Sequence, residues 1–174
     1  MRSWISWPLA GAIVVASSLL RPDWAWSIDR KDVLEQMKKS RPQDLIVLIE
    51  EPDAGGNRLI GMYGLKKEAG DPTLRRFSIW EESPADINIY QETVYCSPSD
   101  PVRVKRTETA VFVRTINPGG PIIEGNREDH LVWWAACFPE LAGTDPSTLK
   151  EKALSLGYST LVPERQEKLP VVPR

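Results

Sequence analysis

The stretch Asp129–Glu140 reads DHLVWWAACFPE and concentrates what little reactive chemistry the chain has. It holds the one histidine, His130, the pair Trp133 and Trp134, and Cys137, one of two cysteines. On a helix, residues three, four and seven apart are neighbours, so these four would share a face. The sharpest chemistry on offer is a thiolate–imidazole pair, with Cys137 as nucleophile and His130 as its base. The spacing works against it. Seven helical residues separate two Cα atoms by about 10 Å, beyond the contact a nucleophile needs from its base. The plainer reading is a buried amphipathic helix, with Cys137 stapled to a sheet at Cys96 and His130 partly exposed near the helix start.

Other chemistries find less support. Zinc wants three or four ligands from Cys, His and carboxylates. One histidine and two cysteines 41 positions apart make no ligand motif, so neither a metal nor a cofactor is expected. EEPDAGGN, with Glu50, Glu51, Asp53 and Asn57, is the best oxygen-rich loop, but it lacks the residue order of an EF-hand and reads as a solvated turn. No G-x-S-x-G elbow, phosphate loop or dinucleotide fingerprint occurs, and serine chemistry would again need His130. A glycosidase needs only two carboxylates. The chain has many, and nothing in the sequence selects a pair.

The bulk numbers set the frame. The 174 residues suffice for one domain with a sizeable core, and 41% hydrophobic against 26% charged is ordinary for a globular chain. A net charge of −2 removes the basic footprint of a nucleic-acid binder and argues against a polybasic membrane-surface protein. Residues 1–27, MRSWISWPLAGAIVVASSLLRPDWAWS, have the grammar of a signal peptide: Arg2, an apolar run from Pro8 to Leu20, then small residues at Ala25 and Ser27. The run is short for a membrane span of roughly 20 residues. The competing reading is an uncleaved anchor. Four of the seven tryptophans lie in this leader, so tryptophan richness says nothing about a sugar-binding surface. Export would place the chain in a periplasm, a lumen or the extracellular space. There, two cysteines most simply pair as Cys96–Cys137.

Local patterns supply the elements. A helix is expected over 30–40, capped by Asp29, with Val33, Leu34 and Met37 as its apolar stripe. DLIVLIEE, 44–51, reads as a central strand buried on both faces. Strands follow at 58–67, where Gly61 and Gly64 suggest a bulge, and at 74–82, 87–96, 102–106 and 110–116. Asn126 is read as the cap of a helix over 127–138, and Asp145 with Pro146 as the start of another that ends at Gly157. The expected fold is α+β: an antiparallel meander of five or six strands, an N-terminal helix, two C-terminal helices and one disulfide. One domain covers 28–162, and 163–174 is read as a flexible proline-rich tail.

Two places stand out for binding. VRVKR puts Arg103 and Lys105 on one strand face, with Arg106 and Arg114 nearby, as an anion site or simply a solvated strand. The loop 117–129 is long and leads into the cysteine-bearing helix. Asn117, Arg127, His130, Trp133 and Trp134 are therefore the candidate binding surface, with whichever tryptophan is exposed at its centre. The functional expectation is a non-catalytic exported binding or accessory protein. Its partner would be a protein or a small molecule, not nucleic acid, and no stable membrane span would remain after leader removal. The alternatives are an extracytoplasmic hydrolase using carboxylates, with or without His130, and a membrane-tethered assembly factor if the leader is kept.

Overall fold

The computed structural model describes residues 29–171. The leader read at 1–27 lies outside the described residues, as do the last three residues of the tail. Asp29 caps α1 (Arg30–Lys39) by accepting from the Lys31 backbone N–H at 3.0 Å, and Lys38 and Lys39 complement the dipole at its other end. Six strands then run as hairpins: β1 (Ile46–Asp53), β2 (Gly56–Glu68), β3 (Asp71–Glu82), β4 (Ile87–Ser97), β5 (Asp100–Arg106) and β6 (Ala110–Thr115). After β6 come α2 (Glu124–Cys137), two 3-10 turns at Pro139–Leu141 and Pro146–Thr148, α3 (Lys150–Ser155), and β7 (Gln166–Pro170). All seven strands form one antiparallel sheet in chain order.

The turns follow from their residues. At the β1–β2 turn Gly55 has φ +89°, a left-handed backbone that favours glycine. EEPDAGGN is thus a hairpin tip. Ser83 closes the β3–β4 turn by accepting from the Asp86 N–H at 3.0 Å. The bulge expected in β2 falls at Gly64, where the register with β3 shifts between Tyr63 and Lys66. Gly61 serves another purpose: a Cβ there would come within 2.7 Å of the Leu45 side chain.

Two layers cover the sheet. Ile60, Met62, Phe77, Ile79 and Val94 face α2, which is apolar all round from Leu131 to Cys137 and is therefore buried. Trp133 donates its indole N–H to the Tyr95 carbonyl at 3.0 Å and packs edge-on against Trp134 and Tyr158, with ring centroids 5.3 and 5.2 Å away. On the opposite face Leu34 and Met37 of α1 cover Leu59, Trp80 and Ile87. Arg41 then anchors the end of α1 through a two-pronged bond to Glu82, whose carboxylate also accepts from Trp80.

Several expectations need correcting. The sheet has seven strands, not five or six. The seventh comes from the segment read as a flexible tail: Pro163 ends before the strand and Pro170 closes it, leaving QEKL free to pair with β6. β1 is an edge strand rather than a central one, and it is not buried on both faces: Ile46, Leu48 and Ile49 pack in the α2-side core, helped by the irregularity between Val47 and Ile49, while Val47 is exposed. α2 begins at Glu124, three residues earlier than read. Asn126 is not its cap; it lies inside the first turn and its side chain accepts from the Ile123 N–H at 2.8 Å. The last helix is split: Asp145 caps the 3-10 turn with Pro146, and α3 follows. Among the described residues, no helix is long and apolar enough to cross a membrane.

Candidate functional site

β5 reads DPVRVKR. Strand alternation sends Arg103 and Lys105 to one face and Val102 and Val104 to the other. The face taken by the cations lies under the first half of α2. Arg103 is only 3% exposed. It donates to both oxygens of Glu92 at 2.6 and 2.7 Å and to Asp129 at 2.9 Å. The second Asp129 oxygen lies 2.6 Å from Arg114. Arg58 joins Glu51, Glu81 and Glu128 at 3.1, 3.0 and 2.9 Å. Tyr90 donates to Glu81 at 3.2 Å and accepts from Lys105 at 3.0 Å. Every strand from β1 to β6 thus adds a charged side chain to one network, and α2 closes it with Glu128 and Asp129.

Burial opposes charge, so the partners decide each group's state. For Glu128, burial raises the pKa, but Arg103 and Arg58 outweigh it and hold the carboxyl below the usual range. Burial also works against the Arg103 charge, and Glu92, Asp129 and Glu128 more than offset it. Burial, with Glu81 and Glu92 nearby, pushes the Tyr90 phenol far above its ordinary value. These shifts keep Glu128 and Arg103 in their charged forms. Glu128 kept ionised is no general acid at neutral pH. The network opens to solvent in a cleft of about 400 Å³ lined by Arg103, Lys105, Arg114 and Asp129, and reached by Phe112 and Gln166.

A second cluster lies behind it. His130 is fully buried, and its Nε2 meets Glu164 at 2.5 Å. Since a carboxylate only accepts, Nε2 carries the proton. Glu164 also accepts from the Asn117 N–H at 3.1 Å and from Asn126 at 2.9 Å. Asn117 in turn donates to the Thr160 carbonyl at 3.1 Å. The cluster pins the segment before β7 onto α2. Burial raises the Glu164 pKa, but His130 and Asn126 hold it below the ordinary value of 4.5. Glu128 shifts the same way from 4.5. A depressed carboxylate stabilises the fold above its unfolded pKa, and that stability is lost as pH falls through the folded value. The urea midpoint should therefore hold from pH 7 to about 5 and fall progressively below 4.5. Glu164→Gln should flatten part of that fall; an unchanged acid limb would remove Glu164 from the account.

The residues expected at a binding surface are mostly interior. His130, Trp133 and Trp134 are at most 1% exposed and Asn117 is 5% exposed; Arg127 alone is exposed. His130 was expected to be partly exposed; it is buried because α2 starts earlier and places it mid-helix, over the Glu164 segment. Much of the loop at 117–129 is the first turn and a half of α2. Cys96 and Cys137 form the expected disulfide, with Cα atoms 5.6 Å apart, so no Cys137 thiol remains to pair with His130. Arg103 and Lys105 do share a face, but Arg103 is buried under α2 while Lys105 stays half-buried at the cleft rim. Sequence reasoning missed Arg58, Glu92, Glu128 and Glu164. The one available signal was that an alternating strand covered by a helix must give an inward arginine an acid partner. No protein-family model, curated protein or solved structure matches the chain.

Proposed function

We propose that the chain is an exported, non-catalytic binding or accessory protein acting on a protein or small-molecule partner. The observation that carries this reading is the Cys96–Cys137 bond, which ties α2 to β4 beneath the core. A disulfide used as a structural fastener suits an oxidising compartment. It also removes the one thiol nucleophile from the inventory. The same economy holds elsewhere: the single histidine is buried on Glu164, and the acids around Arg103 are held by arginines.

The test is intact mass of the natively expressed protein, alkylated with and without prior reduction. A chain beginning near Ile28 and alkylated only after reduction is the expected result. A chain that keeps residues 1–27 and alkylates at both cysteines without reduction would overturn the export reading. Retention of the leader with the disulfide formed would turn it toward the membrane-tethered alternative.

A further inference from the structure

The sheet has a step in it. β4 pairs with β3 from Ile87 to Tyr95, but with β5 only from Glu92 to Ser97. The far edge of Ile87–Gln91 meets no strand, because the β5–β6 hairpin turns back at Thr107, where Thr107 bonds Ala110 at 2.9 Å. Free strand edges invite another strand, and proteins normally protect them with charge, proline or a bulge. Both outer edges are protected in this way. β1 has an irregularity between Val47 and Ile49 and carries Pro52; β7 carries Lys168 and Pro170. The β4 ledge reads INIYQ, with no charge or proline, and its register against β3 is unbroken.

An open cavity of about 880 Å³ lies against the ledge. On one face Ile89, 49% exposed, stands beside half-buried Val104 and Val111, with Arg106 next to them. On the other, the Lys105 ammonium rests 4.1 Å from the Tyr90 ring centroid. Arg106 is exposed, and among the described residues it takes part in no ion pair. Lys105 stands opposite Glu92 and donates to Tyr90, which leaves Arg106 as the cation the ledge offers to a partner. A strand laid here would place alternate side chains against the Tyr90 ring on one face and against Ile89 and Arg106 on the other, because opposed residues of paired strands point to the same face.

We infer that this ledge binds an extended segment of a partner protein, with apolar and acidic residues alternating, by strand addition. The inference rests on the proposed binding role and deepens it. The experiment is an amide NMR titration of the full chain with an end-capped octapeptide of alternating valine and aspartate. Saturable shifts confined to Ile87–Gln91 and Lys105–Glu108 are expected. A valine–lysine octapeptide, or Arg106→Glu in the protein, should weaken binding about tenfold or more. Methylating alternate peptide nitrogens should abolish it, since strand addition needs backbone bonds. Absence of saturable shifts at the ledge would overturn the inference, as would equal binding of the lysine peptide or indifference to N-methylation. Ledge shifts that depend on protein concentration without peptide would do the same, assigning the ledge to a second copy. A native partner whose capture survives Arg106→Glu would sink the ledge while leaving the binding role intact.

Discussion

The Glu92→Ala variant loses about 3–5 kcal/mol of unfolding free energy, read from urea melts at pH 7. The magnitude comes from what is left behind. Arg103 is 3% exposed and Glu92 2%, and two short bonds join them. Alanine removes both acceptors from a guanidinium that is almost wholly buried, while Asp129 satisfies only one of its nitrogens. The double variant Glu92→Leu/Arg103→Met should recover most of the loss, because replacing a buried pair with apolar side chains of similar size is often close to neutral. Asp129 keeps Arg114 and Glu128 keeps Arg58 in that background, so no new orphan is made. A Glu92→Ala variant within about 1 kcal/mol of wild type would mean that water enters beside Arg103 and the network is not sealed.

Removing the disulfide ranks next. Cys96→Ala/Cys137→Ala should cost about 4 kcal/mol, from the loop of roughly 42 residues that the bond closes in the unfolded chain. That loop contains β5, β6 and all of α2. Against a typical net stability of roughly 5–15 kcal/mol, the loss leaves a marginal protein. Reduction of the wild-type chain should lower the urea midpoint in parallel. A loss under about 1 kcal/mol would show that the tryptophan packing under α2 already restricts the unfolded chain, or that α2 needs no staple.

Local grammar carried much of the fold. Turn residues at Gly55, Ser83 and Thr107 punctuate strands whose type is plain from their β-branched and aromatic content, and Asp29 marks the start of α1. Two cysteines in a chain read as exported led directly to Cys96–Cys137. What stayed hidden was whatever depends on distant partners. The tail segment reads as polar and proline-bounded, and only the waiting edge of β6 makes it a strand. His130 gives no sign of burial until Glu164, far along the chain, arrives over it. The inward turn of Arg103 has no local signature either, since the same alternation fits a solvated strand.

The closing position of β7 orders assembly in time. Under the proposed export, a chain threaded through a membrane from its N-terminus would present Cys137 to the oxidising side before the Gln166–Pro170 segment has followed. The covalent clasp can therefore set while β6, with its AVFVR sequence, is still a bare outer rim. An uncovered β6 edge would invite pairing with another strand, and what covers it is a strand of only five residues. Truncation before Glu164 would leave the β6 edge bare for good.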